Sequence, residues 1–323
     1  MKRQHLRVLA ACLLLTEAAP AFAEADYPDR PIRIITHSAA GGAPDVLLRL
    51  VSERLGRTLG QQIVVLNEPG AGGAVAARGA ASAAPDGYTL YMPAASAFVT
   101  LAGLQPNLPL QLTRDFTPIG FVGEQPMVLA VPAALGVSNL PEFIALARKQ
   151  PGKLSYAATG RGTLTQLTGE LLKARAGIDL LSVPYTGGAS QSVNDALGGR
   201  VSMVIEGLAA LAGPIESGAL KAIATGSLER LPNFPDLPAA AETLPSFNAR
   251  GWVVLVAPLG TSDEIVNKLS EALRSAAADP TYQKKAAVLG SYSRLMTPPQ
   301  VLDYIRAEQQ MWKPILEKIA TNP

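Results

Sequence analysis

Two short turns carry the residues best equipped to hold a ligand: Ser38-Ala39-Ala40-Gly41-Gly42-Ala43-Pro44-Asp45 and Ala158-Thr159-Gly160-Arg161-Gly162-Thr163. Each follows a strand-like run and precedes a helix-like one. Each therefore offers backbone N–H groups at a helix start, where the first donors lack an intrahelical partner and the helix dipole is positive. That is chemistry for a small anion. Small residues also let a ligand approach the main chain closely. Taken singly, either turn reads equally well as an ordinary βα loop. The pair, in a chain with little catalytic equipment, points to binding.

Composition removes most other chemistry. The chain has 323 residues, one cysteine, two histidines and a formal charge of +2. Lys2, Arg3 and Arg7, an apolar run at 8–15 and Ala21-Phe22-Ala23 together read as a secretory signal over residues 1–23, so export to the periplasm is expected. Leu9-Ala10-Ala11-Cys12 also resembles a lipoprotein box, but its apolar stretch follows the cysteine instead of preceding it. Losing residues 1–23 removes three cations and one anion, which leaves 25 of each sign and no basic excess for a nucleic-acid partner. Cys12 and His5 go with them. With His37 alone remaining, thiolate catalysis and His- or Cys-rich metal sites are excluded, and neither metal nor cofactor is expected. A Ser38 and His37 pair lacks the third member of a triad and a nucleophile elbow, so no enzyme is expected.

About 300 residues exceed what one core usually serves, so two lobes are expected. Strand-like and helical runs alternate, the mark of a parallel α/β sheet: strands at 32–35, 63–66 and 88–92, helices at 45–55 and 74–83. A second alternation begins at 126–131. It continues through a helix started by Ser138 and Pro141, strands at 154–158, 181–184, 201–205 and 221–224, and helices at 164–176, 189–197 and 208–216. The apolar run at 252–258 and the one near Pro126 are the expected crossovers between lobes. Lobe 1 is thus 24–125 with 251–323, and lobe 2 is 126–250. Ser262 and Thr297 are expected caps of the tail helices, and Leu302, Ile305 and Trp312 are expected to dock the last helix on lobe 1.

The motifs Ala40-Gly41-Gly42 with Asp45, Asn67-Glu68-Pro69-Gly70-Ala71-Gly72-Gly73, Ala84-Pro85-Asp86-Gly87-Tyr88, Pro151-Gly152-Lys153-Leu154-Ser155-Tyr156 and Val183-Pro184-Tyr185-Thr186-Gly187 occur in an order that resembles one family. That family is the substrate-binding receptors of tripartite tricarboxylate transporters, the Bug-type periplasmic proteins. The similarity runs from Tyr27 to the final helix. It implies a two-lobe type II periplasmic-binding-protein fold with two crossover strands and a cleft between lobes, a small organic acid as ligand, and membrane transporter subunits as partners. A monomer is expected, and a sensor that presents solute without transport is the alternative role. His37-Ser38, Ala43-Pro44 and Pro93-Ala94-Ala95 depart from the family's usual Pro-Phe, Gly-Thr/Ser and Gly-Thr-Ser.

The expected ligand-binding residues are Ser38, Ala39, Ala40, Gly41, Gly42, Ala43, Asp45 and Ala95 on one side, and Thr159, Gly160, Arg161, Gly162, Thr163, Thr186, Gly187 and Glu206 on the other. Several have a second reading. Thr163 either caps its helix or touches ligand. Asp45 would repel a carboxylate, so fixing the turn is the expected role. Arg161 either forks to a second carboxylate or stands in solvent. Glu206, following its strand, either accepts from a ligand hydroxyl or ammonium or is a buried acid at a helix start. His37 is expected to be packed rather than exposed to the cleft.

Overall fold

The structure, a computed structural model, describes residues 27–38, 40, 43–69, 73–104, 112–160, 162–185 and 188–321. The expected signal segment with Cys12, and the candidate residues Ala39, Gly41, Gly42, Arg161, Thr186 and Gly187, lie outside the described residues.

The chain opens with β1 (Ile32–Thr36), α1 (Ala43–Leu59), β2 (Ile63–Asn67), α2 (Ala74–Ala81), β3 (Thr89–Met92) and α3 (Ala95–Leu104). β1 pairs in parallel with both β2 and β3. The 3.6-residue period places Leu47, Leu48, Val51 and Leu55 of α1 on one sheet face, in one cluster with Ile32 and Ile34. α2 and α3 bury Ala74, Ala77 and Phe98 on the other face, with Ile35 and Tyr91.

After α4 (Leu112–Asp115), the long strand β4 (Phe116–Pro132) crosses to a second set of elements: α5 (Leu140–Lys149), β5 (Ser155–Ala158), α6 (Leu164–Ala176), β6 (Leu181–Pro184), α7 (Gly188–Leu197), β7 (Met203–Gly207), α8 (Leu208–Glu216) and β8 (Leu220–Thr225). β9 (Arg250–Pro258) then returns, followed by α9 (Asp263–Ala278), α10 (Pro280–Val288) and α11 (Pro298–Thr321). β5 pairs in parallel with β6 and β7. α6 buries Leu167 and Leu172 against Tyr156 and Ile205, whereas α7 and α8 bury Val193, Ala196 and Leu211 against Ala157 and Val204 on the opposite face.

The strand order is β2-β1-β3-β9-β4-β7-β5-β6, with β8 also on β4. β4 joins the two halves. It pairs with β9 from Phe116 to Pro126, then with β7 and β8 from Met127 to Pro132. Glu124 sits at this changeover and bridges Arg250 and Arg294, each at 2.9 Å.

Some local expectations need correction. β4 starts ten residues before the expected 126, and α3 lies where no element was expected. Asn139, not Ser138, caps α5: its side chain accepts from Glu142 N at 2.9 Å, while Ser138 N donates to the Glu142 carboxylate. Strand β7 runs to Gly207, so Glu206 lies within it and does not follow it. Ser262 caps α9, accepting from Ile265 N, whereas at Thr297 it is the Gln300 carboxamide that accepts the Thr297 N–H, at 2.9 Å. α11 buries Ile305 and Trp312 and packs on α3 and β4, but it reaches α6 as well.

Candidate functional site

In an open α/β sheet, a crevice opens beyond the strand carboxyl ends wherever neighbouring strands send their helices to opposite faces. Among the described elements this occurs on both sides of β1 and on both sides of β5. β1 sends α1 to one face while adjacent β3 sends α3 to the other; β5 sends α6 to one face while adjacent β7 sends α8 to the other. Ser38, Ala40, Ala43, Asp45 and Ala95 flank the first crevice. Thr159, Gly160, Gly162, Thr163 and Glu206 flank the second.

The first turn is tied down from within. Asp45 is 1% exposed. Its carboxylate accepts from Asn67 Nδ2 at 2.8 Å and from Arg49 Nε at 3.0 Å. Asn67 Nδ2 also donates to Ser38 O at 2.9 Å, and Arg49 reaches Asn67 Oδ1 at 2.9 Å. Asn67 thus links Asp45 and Ser38 across the turn. Pro44, in the first turn of α1, sits where a missing N–H costs no helical hydrogen bond. Asn67 was not singled out in the sequence; as the last residue of β2, adjacent to β1, it lies next to the turn through sheet pairing alone.

His37 is enclosed. Its Nδ1 lies 3.3 Å from Tyr91 Oη, and a Cβ added at Gly73 would meet its ring at 3.0 Å. Burial pushes its pKa down to about 4, so the ring is neutral at pH 7.

The second turn is knitted by hydroxyls. Thr163 caps α6, its hydroxyl accepting from Gln166 N and donating to Gly160 O at 2.8 Å. Thr165 Oγ1 accepts the Thr159 N–H at 2.8 Å. Gln166 reaches back so that its Oε1 accepts the Gly162 N–H at 2.7 Å. The expectation of backbone donors turned to a ligand is narrowed here, because the Gly162 donor is occupied by the chain's own carboxamide. Thr163-x-x-Gln166 has capping-box spacing, but Gln166 accepts from Gly162, one residue before the cap, while the Thr163 N–H donates to Gly160 O. Gly160 and Gly162 hold φ of 138° and 74°, which bulkier residues resist.

Glu206 is 8% exposed, on the sheet face shared with Val204 and Val128. Burial pushes its pKa up to about 7, opposed by a hydrogen bond with Ser192. Its Oε1 has no hydrogen-bond partner. Ala95, the first residue of α3, is buried and supplies only main chain and a methyl group to the first crevice.

A groove of about 1010 Å³ lies elsewhere, lined by Leu208, Ile215, Lys221, Phe234, Leu237 and Val288, and none of the candidate residues lines it. Among the described residues, no group of three or more His, Cys, Asp or Glu could hold a metal ion, and no helix is long and apolar enough to cross a membrane.

Comparison with known proteins agrees with this architecture. Residues 47–321 match the family described as "Tripartite tricarboxylate transporter family receptor". Protein BugT of Bordetella pertussis is 34% identical over 303 residues, covering 93% of this chain and 92% of BugT. The structure of periplasmic binding protein BugD superposes with a TM-score of 0.79 at 32% identity, covering 91% of this chain and 98% of that one. An R. palustris protein solved with adipate gives a TM-score of 0.83 at 28% identity, covering 92% and 99% of the two chains. MatC from Rhodopseudomonas palustris, solved with bound malate, gives 0.78 at 28% identity, covering 90% and 100%. The chain therefore belongs to the tripartite tricarboxylate transporter receptor family, a family of solute receptors and not enzymes, and has the α/β periplasmic-binding-protein fold.

Proposed function

We propose that this chain is an exported receptor that captures a small carboxylate-bearing solute between two lobes and delivers it to a tripartite tricarboxylate-type membrane transporter. Lobe 1 comprises 24–125 with 251–323 and lobe 2 comprises 126–250; β4 and β9 form the pivot, and residues 1–23 direct export to the periplasm. The observation that carries the reading is the position of both glycine turns at switch crevices of the two sheet halves. The adipate and malate held by the two R. palustris relatives are both dicarboxylates, as the reading requires.

Each charge-assisted hydrogen bond to a carboxylate contributes about 1.5–3 kcal/mol net. Four or five of them, aided by two helix starts, support micromolar affinity after the cost of closure. In this reading Gln166 occupies the Gly162 N–H until a solute carboxylate displaces it. The receptor works as a monomer.

A thermal-shift screen of the mature protein against mono-, di- and tricarboxylates, amino acids and neutral controls tests this. A ligand at ~100 times its dissociation constant adds about 2.7 kcal/mol, a resolvable rise in Tm. A shift confined to acids is expected. Stabilisation by neutral or cationic compounds alone would contradict it.

A further inference from the structure

Among the described candidate residues, Glu206 is the one with a buried side-chain oxygen that lacks a hydrogen-bond partner. In the parallel register, Ala157 of β5 faces Val204 of β7. Two residues further on come Thr159, which opens the second glycine turn, and Glu206. The acid therefore stands on the β7 bank of the second switch crevice, opposite the turn on the β5 bank. Its side chain is more than nine-tenths buried and its Oε1 is unpartnered. The Ser192 hydroxyl hydrogen-bonds the carboxyl and also lies 2.8 Å from Ala189 O, yet Oε1 is left without a partner.

Among the described residues, no cation is recorded against it. Val128, its partner on β4, is apolar, and Thr159, opposite it beyond the end of β5, is uncharged and hydrogen-bonded to Thr165. On α7 the titratable group is Asp195, which accepts from Tyr185 Oη at 2.9 Å and from Arg200 at 2.6 Å. Tyr185, following β6, is turned to that same Asp195, and the titratable group of α8, Glu216, lies at the far end of its helix. None of these contributes to the rise in the Glu206 pKa, which burial causes and Ser192 opposes. An orphan buried acceptor costs stability, and an apolar residue would remove that cost. A strand end at a ligand crevice is the place where a solute can satisfy it.

We propose that Glu206 is a specificity-determining residue that accepts a hydrogen bond from a hydroxyl or ammonium group on the solute, so that the receptor selects hydroxy- or amino-substituted acids over their unsubstituted parents. This rests on the receptor reading above. A second solute carboxylate at this point would bring two desolvated acids together with no cation between them, which disfavours plain diacids. A site built to meet a donor rejects the analogue that lacks it.

Calorimetric titration with matched sets tests the assignment: succinate with malate and aspartate, and glutarate with 2-hydroxyglutarate and glutamate. The wild type is expected to bind one donor-bearing member at least about 10-fold more tightly than its parent acid, and the ratio should grow from pH 6 to pH 8 as Glu206 ionises. Glu206→Leu should abolish the ratio, with the parent diacid bound more tightly than by the wild type because the opposing carboxyl is gone. Glu206→Gln, which keeps an acceptor but no charge, should lose the ammonium preference and retain part of the hydroxyl preference. Equal affinity within every set, a preference that survives Glu206→Leu, or a preference that shrinks from pH 6 to pH 8 would overturn the assignment while leaving the receptor reading intact. Failure of every acid to bind would overturn both.

Discussion

Asp45 and Glu206 are both buried carboxylic acids beside a switch crevice, and their surroundings differ in kind. Asp45 has Asn67 and Arg49 as donors; Glu206 has an oxygen with none. Removing Asp45 should therefore loosen the fold, because it strands the Asn67 amide that also holds Ser38 O. Asp45→Ala is expected to cost about 2–3 kcal/mol and Asn67→Ala about 1–2, with the double variant about 1 kcal/mol short of their sum, as read by urea unfolding. Additive losses would mean the pair is not coupled. Two titrations also oppose each other. The unfolded chain protonates His37 at about 6.5 and the folded chain at about 4, so this group's contribution is lost as pH falls across that window. Glu206 protonates at about 4.5 unfolded and about 7 folded, so its contribution is lost as pH rises between those values. Each full window is worth about 3 kcal/mol, and they offset between pH 4.5 and 6.5. Glu206→Gln should unmask the His37 effect, its stability gaining on wild type as pH rises and levelling above pH 7 at about 2–3 kcal/mol. A gain independent of pH would contradict this. At this scale the sequence was legible where a role follows from position alone: Thr163 before a helix, Asp45 in a first turn. Asn67 and Gln166 were missed as partners, Asn67 because its contact depends on strand pairing across 22 residues.

Among the elements, those with a clear period were legible. α1 and α6 carry apolar residues on one side, and β5 and β7 are short runs between turn signals. The first half of β4 was not legible, because Pro118, Gly120 and Gly123 read as breakers. The structure shows why glycine stands there: an added Cβ would meet Leu273 of α9 at 2.8 Å from Gly120, and Leu47 of α1 at 2.8 Å from Gly123. The strand is bulged at both places, so it pairs with β9 while two helices press on it. α3 was missed for the opposite reason: Ala95, Ala97, Phe98 and Val99 are all buried, so the segment shows no polar face from which to read a helical period. α11 also carries a testable element. Trp252 and Trp312 both donate their indole N–H to Glu308 Oε2, at 3.1 and 3.3 Å. Glu308→Ala should cost about 3 kcal/mol in urea unfolding because two buried donors lose their acceptor, whereas Glu308→Gln, which keeps one, should cost about half as much. Equal costs would place the stabilisation in side-chain packing instead.

Across the whole molecule, the two crossings were legible as apolar runs, but the continuity of the sheet through β4 was not, since pairing partners lie more than 100 residues apart in sequence. The same topology sets crevices beyond the carboxyl ends of β1 and β5 and leaves a groove of about 1010 Å³ away from the candidate residues. That contrast makes the location of the ligand the decisive observation. A crystal structure of the mature protein with the acid that gives the largest thermal shift would supply it. The solute carboxylate should lie between the turn at 38–45 and the turn at 159–163, with Gln166 displaced from the Gly162 N–H. A carboxylate seated in the groove beside α8, with both turns unchanged, would contradict the account.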